Sequence, residues 1–223
     1  MKSSVFCALA RKELYLQRGI MIAMVVVSLV AFWATRFGNV GLAIGGIVFL
    51  TANIAGGIFM AMFSLMGERK EQARMFALSL PISGNQYDLS KLASGYLGYG
   101  IPWLIITVVV CWTFLNGGPD VDRGMVVYAL LLQCYALALY SVLLCALFSV
   151  TSDGMSAVVI LGGNLLFSLF MMQLNQPSIV GPMHTDQVVW TTYAQRVLFG
   201  ELAAIVLSVA VALIVSARRR DHV

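Results

Sequence analysis

Charged side chains are scarce in this sequence. Only 11% of the 223 residues are Asp, Glu, Lys or Arg, and 60% are apolar, whereas about 25% of an ordinary soluble domain is charged. Disorder is excluded, because a disordered chain needs high charge and few apolar groups. A soluble enzyme is excluded as well, because so few charges do not cover a water-exposed surface.

The sequence also lacks a polar segment long enough to fold alone. The longest polar segments are Gly67–Leu92 and Gln173–Arg196, both shorter than the about 40 residues that an independent domain needs. We therefore predict an all-α membrane protein with one transmembrane domain, 1–223, and an N-terminal amphipathic interfacial helix over Ser3–Arg18. The six predicted spans, each near the about 20 residues that cross a bilayer, are 20–35, 40–66, 93–115, 124–150, 155–172 and 197–217.

Motifs for catalysis and for cofactors are missing too. No G-x-x-x-x-G-K-[ST] phosphate-binding loop occurs, so we do not expect this chain to hydrolyse ATP. An intramembrane enzyme would need a nucleophile with a nearby base, and the predicted spans hold no His, Asp or Lys for that role. The four cysteines do not have zinc-ligand spacing. We expect no enzyme activity, no metal and no cofactor on this chain.

Lys and Arg are distributed unevenly between the loops. Six spans place both termini and the loop Gly67–Leu92 on one side, which then holds all of the 14 Lys and Arg residues except Arg36, Arg123 and Arg196. Basic residues accumulate in cytoplasmic loops. We therefore predict that both termini are cytoplasmic, in the membrane of a bacterium or an archaeon. Orientation explains the basic composition, so no nucleic-acid partner is expected.

Small residues are concentrated in the second predicted span, and neutral polar residues lie within several spans. The patterns Gly41-x-x-x-Gly45 and Ala52-x-x-x-Gly56 favour close approach of neighbouring helices. Neutral polar residues within the spans indicate either interhelical hydrogen bonds or the lining of a substrate path. We hypothesise a translocation path that includes Asn53, Gly56, Gly57 and Asn164.

The outer part of the last span is expected to lie in the membrane interface. A short interfacial helix is predicted over Val188–Phe199, where Trp190 and Tyr193 favour that position. Glu201, the one acidic side chain inside a predicted span, is expected about one turn from the outer end, as an interfacial residue. A proton-coupled carrier usually needs an ionisable relay at mid-depth, so proton-driven transport is not expected.

The loop Gly67–Leu92 has a helical pattern of its own. Pro81 ends a first helix near Leu80, and Ser83 with Gln86 is typical of a capping box that begins a second helix. Such a pair of helices either fits a groove on a partner protein or packs against its own spans. The apolar stripe of the first helix is formed by Ala73, Phe76, Ala77 and Leu80.

Four motifs occur together around this loop. They are Ala10–Leu14 before the first span, the acidic-basic cluster of residues 68–70 after the second span, the Leu-Ser-Leu-Pro-Ile-Ser motif of residues 78–83, and Lys91 before the third span. This combination resembles the permease subunits of type-2 ABC exporters. The resemblance implies that the loop is a coupling helix for a separate ATPase, through Glu68, Arg69, Lys70, Glu71, Arg74, Phe76, Ala77, Leu80, Pro81 and Ser83.

The resemblance also implies the partners. A cytoplasmic ABC ATPase subunit would bind ATP and Mg, and a second permease copy or a paralogue would complete the transporter within the membrane lipid. The neutral, apolar spans suggest export of an amphipathic or hydrophobic substrate such as a peptide, a lipid or a drug-like compound. The alternatives are a non-transporting membrane scaffold or sensor subunit, and a permease like the haem exporter of cytochrome c maturation.

Overall fold

The computed structural model describes residues 2–70, 84–117, 122–149 and 153–218. These residues form helices and short connections, with no strand among them, and six of the helices are long and apolar enough to cross a membrane. The all-α fold with six candidate spans is therefore confirmed. The helices are α1 (Lys2–Ala34), α2 (Gly38–Lys70), α3 (Gly84–Asn116), α4 (Met125–Ser149), α5 (Asp153–Leu174), α6 (Pro177–Met183) and α7 (Thr192–Arg218).

The first helix is uninterrupted from Lys2 to Ala34. The sequence favoured a separate interfacial helix over Ser3–Arg18, followed by a turn into the bilayer. No proline interrupts this stretch, and a single glycine at Gly19 is tolerated inside a helix. The N-terminal segment and the first span are thus one helix, and the position of that segment in the membrane interface stays a prediction.

The connection between α5 and α7 contains a short helix at a different place from the one expected. Helix α6 begins at Pro177, where the fixed backbone of proline suits the first turn. Residues 188–191 are not helical, and α7 then runs without interruption from Thr192 to Arg218. The predicted short helix Val188–Phe199 was wrong, because its second half is the beginning of the last span.

Helix α4 lies at the centre of the bundle. It packs against α2, α3, α5, α6 and α7, and 61% of its span is buried, compared with 18% for α5 and 11% for α7. The rings of Tyr140 on α4 and Tyr99 on α3 are stacked 4.2 Å apart. The Tyr140 hydroxyl donates a hydrogen bond of 2.7 Å to the Gly95 carbonyl oxygen. Stacking and a polar contact together fix α3 against α4.

Glycines allow α2 to approach α1 closely. A Cβ atom at Gly45 would lie 2.6 Å from the Ala31 carbonyl oxygen, and one at Gly56 would lie 2.9 Å from the Met24 sulfur. The Gly45 position has no room for a Cβ atom because its neighbour is a backbone oxygen, whereas at Gly56 the flexible Met24 side chain would have to move. The predicted close helix approach is confirmed, since shape complementarity of this kind drives helix association in membranes.

Two connections meet at one end of the bundle. The Gly124 N–H donates to the Thr185 carbonyl oxygen at 2.9 Å, and the His184 Nδ1 lies 3.3 Å from the Asp122 Oδ2. These contacts join the start of α4 to the segment after α6. The end of the bundle at which α1 begins and α2 stops is called the basic end below. The opposite end, where these two connections meet, is called the far end.

Candidate coupling site and substrate groove

Most of the predicted coupling residues lie outside the described residues. Seven of the ten belong to segment 71–83, which lies outside the described residues: Glu71, Arg74, Phe76, Ala77, Leu80, Pro81 and Ser83. Glu68, Arg69 and Lys70 are the last residues of α2, and α3 begins at Gly84. The segment therefore connects two candidate spans at the basic end. The role of these ten residues in coupling stays a prediction.

A buried ion pair joins α1 to α3 near the basic end. The Lys91 Nζ lies 2.9 Å from the Glu13 Oε1, and the two side chains are only 5% and 10% exposed. Both residues belong to the motifs that precede a span. Removing two charges from water is costly, and a short contact between them offsets that cost. Separating α1 from α3 here would leave each charge without its partner, so the pair favours this packing of the two helices.

The polar contact extends one turn deeper along both helices. Gln17, four residues after Glu13, is fully buried, and its Oε1 lies where a Cβ atom at Gly98 would be. Ser94, three residues after Lys91, is also buried, and its hydroxyl donates to the Lys91 carbonyl oxygen at 3.0 Å. Within the described residues, the Gln17 amide has no hydrogen-bond partner.

Asn53, the first predicted path residue, is buried and makes several hydrogen bonds. Its Nδ2 donates to the Phe49 carbonyl oxygen at 2.8 Å and to the Ser28 hydroxyl at 3.3 Å. Its Oδ1 has no partner in the part of the chain that the structure describes. Asn53 and Gln133 line a cavity of about 10 Å³, which has room for about one water molecule.

The other predicted path residues lie on two helices. Gly56 packs against Met24, and a Cβ atom at Gly57 would lie 3.1 Å from the Tyr99 ring. Asn53, Gly56 and Gly57 are thus neighbours on α2, whereas Asn164 is on α5 and its side chain is outside the described part. The contribution of these four residues to translocation stays a prediction.

A groove of about 570 Å³ lies between α4, α5 and α7. Its aromatic wall contains Tyr135 and Phe170, whose rings are stacked 3.9 Å apart with 9° between their planes. Glu201 lines the groove and is only 6% exposed. Neither carboxylate oxygen of Glu201 nor the Tyr135 hydroxyl has a hydrogen-bond partner among the described residues. The groove therefore combines an apolar wall with polar groups that have no hydrogen-bond partner among the described residues.

Glu201 lies deeper in its helix than the sequence suggested. Helix α7 begins at Thr192, so Glu201 follows after about two and a half turns, or about 14 Å along the helix axis. This is farther from the start of the helix than Glu201 is from the start of the predicted span, because the helix begins before the apolar run does. An ionisable side chain is therefore present well inside a candidate span. The interfacial position of Glu201 in the membrane stays a prediction.

The comparison with protein families decides what kind of membrane protein this is. Residues 8–217 match the model of the family described as ABC-2 family transporter protein. The chain belongs to the ABC-2 family. Comparisons with curated proteins and with solved structures gave no match. The resemblance to type-2 ABC permeases is thereby confirmed, and the six candidate spans of this ABC-2 protein form a permease subunit of an ABC transporter.

Three features of this ABC-2 protein were not predicted from its sequence. The pairing of Glu13 with Lys91 was missed, although each residue was noted separately in its motif. Gln17 was missed as well, and its signal was its spacing of four residues from Glu13, which places both on one helix face. The Tyr135 hydroxyl was missed too and could have been found as a polar group within an apolar run, whereas Glu201 was singled out from the sequence and only its burial was missed.

Proposed function

We propose that this ABC-2 protein is the membrane subunit of an ATP-driven exporter. A separate cytoplasmic ATPase binds ATP and Mg and hydrolyses ATP, and this chain moves an amphipathic or hydrophobic substrate outward. The chain works with a second copy or a paralogue in a bacterial or archaeal cytoplasmic membrane, and its termini are in the cytoplasm. The proposal extends the family assignment to energy source, direction and substrate class.

The ion pair between Glu13 and Lys91 carries this proposal. Lys91 is on the second turn of α3, shortly after segment 71–83, which resembles a coupling helix. Breaking a buried pair by removing one partner costs about 3–5 kcal/mol, so α1 and α3 are expected to move as one body. A force that an ATPase applies to segment 71–83 would then displace both helices together.

The packing of α1 and α3 gives such a movement a route to the interior of the bundle. Helix α1 contacts α2 through Met24 and Gly56, and α3 contacts α4 through Tyr99 and Tyr140. Close-packed contacts of this kind transmit displacement because they leave little free volume. Movement at the basic end is therefore expected to change the spacing between the helices that surround the substrate.

The test is purification of the tagged chain from its native membrane in mild detergent, with mass spectrometry of the proteins that co-purify. An ABC ATPase subunit is expected with the wild-type chain. Phe76→Asp is expected to lose it, because removal of an interface anchor often costs about 2 kcal/mol or more, which weakens binding about 30-fold. The amount of chain inserted in the membrane should not change.

Phe37→Asp is the matched control. Phe37 is 59% exposed in the turn between α1 and α2 at the far end, so the same substitution there should leave the ATPase bound. Loss of the ATPase from Phe76→Asp alone supports coupling through segment 71–83. Retention by both variants would refute that role, and a wild-type preparation without any ABC ATPase would refute the proposed function.

A further inference from the structure

We propose that the groove beside Glu201 binds a small amphiphile that carries a protonated amine and an apolar tail. The groove is formed by α4, α5 and α7, away from segment 71–83. This inference gives the proposed exporter a substrate class. It rests on the proposed function only for the direction in which the amphiphile moves, since binding itself requires no ATPase.

The Glu201 carboxylate needs a partner that the described chain does not supply. It is buried, and neither of its oxygens accepts a hydrogen bond from the described residues. Tyr135 of α4 lines the same groove, and its side chain is not a cation. An acidic group inside a membrane is costly unless it is paired. A bound cation would supply the missing partner.

Arg196 is the basic residue of the groove, and it does not fill this role. It precedes Glu201 by five residues on α7, about 7.5 Å along the helix axis, and it is exposed. No ion pair joins the two side chains in the described part of the chain. The inner part of the groove therefore presents acidic and apolar groups, and its basic group lies nearer the far end.

The walls of the groove suit an ammonium group with a hydrocarbon tail. The Tyr135 hydroxyl has no partner in the described residues, so its oxygen can accept one N–H bond while the Glu201 oxygens accept others. The aromatic rings of Tyr135 and Phe170 add attraction for a cation. The wall continues with aliphatic side chains that would contact the tail: Leu139, Val142, Leu166 and Leu169.

The size and position of the groove also favour a small, lipid-soluble ligand. Its volume of about 570 Å³ is within the range of about 300–1,000 Å³ for small-molecule sites. Leu166 and Leu169 are each 50% exposed on a candidate span, so the groove is open to the membrane side of α5. An amphiphile can therefore enter from the lipid. A neutral head group would give the Glu201 carboxylate no counter-charge, and an anionic head group would repel it.

The test measures binding by photolabelling of the purified chain in phosphatidylcholine nanodiscs. One probe is dodecylamine with a diazirine in its tail, and the other is dodecanol with the same tail. The amine is expected to label residues 135–142 and 166–170 saturably, with half-saturation at a concentration at least tenfold lower than for the alcohol. Glu201→Gln is expected to raise that concentration at least tenfold for the amine and to leave the alcohol unaffected.

Two further variants make the result specific to the groove. Asp186→Asn removes an exposed acidic group near the far end and is expected to leave amine labelling unchanged. Leu166→Trp fills the groove from an exposed position and is expected to block labelling without disturbing a buried polar group. If Glu201→Gln does not fold, the comparison of amine with alcohol and the Leu166→Trp variant still decide the question.

Three outcomes would overturn the inference. They are equal labelling by amine and alcohol, unchanged amine labelling in both groove variants, and no saturable labelling of the wild-type groove because a second copy of the chain covers it. Since no ATPase is present, these outcomes leave the proposed function standing if the ATPase co-purifies. Conversely, saturable labelling without a co-purifying ATPase would support the site and refute the exporter.

Discussion

The ammonium group of Lys91 and the carboxylate of Glu13 lie 2.9 Å apart, and both side chains are buried between α3 and α1. Lys91 is near the start of the helix that follows segment 71–83, and Glu13 is on the helix that forms the first candidate span. The pair thus connects two parts of the chain that are distant in sequence. It is the contact through which we expect the basic end to move as a unit.

Removal of one member of the pair should destabilise the protein strongly. Lys91→Met leaves the Glu13 carboxylate buried without its cation, and we expect the free energy of unfolding to fall by about 3–5 kcal/mol. Thermal unfolding in detergent measures the effect as a lower Tm. Arg11→Gln, which removes an exposed charge from the neighbouring turn, is the control and should change Tm little.

Exchanging the two charges tests whether the loss of stability in Lys91→Met comes from the lost attraction between Lys91 and Glu13 or from another effect of the substitution. Glu13→Lys combined with Lys91→Glu should recover a substantial part of the Tm that Lys91→Met loses, since the charges again attract each other. A Tm for Lys91→Met equal to that of the wild-type chain would show that the pair does not hold α1 against α3.

Substitution of Gly57 should be more harmful than substitution of Gly46 in the same helix. A Cβ atom at Gly57 would lie 3.1 Å from a ring carbon of Tyr99 and 3.2 Å from one of Tyr140, whereas a Cβ atom at Gly46 meets nothing within 4 Å. We expect Gly57→Val to cost about 1–3 kcal/mol through overpacking and Gly46→Val to cost about 0.5 kcal/mol or less.

Unfolding in denaturing detergent, followed by circular dichroism, measures the two variants side by side. We expect the wild-type chain and Gly46→Val to have similar free energies of unfolding, and Gly57→Val to have a clearly lower one. Equal stability of the two variants would mean that α2 does not pack tightly on the Tyr99–Tyr140 stack.

The proposed orientation predicts the sides from which two engineered cysteines react. Gln72→Cys, in the predicted cytoplasmic loop, and Gln187→Cys, in the exposed segment near the far end, are introduced separately. The background lacks the native cysteines, which are Cys7, Cys111, Cys134 and Cys145. An impermeant maleimide added to intact cells should label only Gln187→Cys. Labelling of Gln72→Cys from outside would contradict the assignment of both termini to the cytoplasm.

The helical class and the number of spans could be predicted because they depend on how charged and apolar residues are distributed along the sequence. Charged residues are so costly inside a bilayer that their absence marks the spans directly, and the small residues at Gly45 and Gly56 marked a helix contact. Helix boundaries were less certain, because a helix can begin outside the apolar run. That is why α7 begins at Thr192 and includes Arg196 in its early turns.

The site could be predicted only in part, because its contacts depend on how the helices pack. The motifs indicated Glu13 and Lys91 individually, yet nothing in their spacing states that the two meet. Glu201 was assigned to the interface by its distance from the end of an apolar run, and its burial depends on the packing of α7 against α4. Such long-range contacts follow from tertiary structure, which local patterns do not encode.

The central claim is that ATP hydrolysis by a partner subunit drives outward movement through this chain. Inside-out vesicles that contain the complex can be incubated with cytosolic extract, and the compounds that accumulate inside can be identified by mass spectrometry. We expect accumulation that requires ATP, persists when a protonophore collapses the proton gradient, and is lost in Phe76→Asp. Accumulation driven by a pH gradient without nucleotide would contradict it and indicate a secondary carrier.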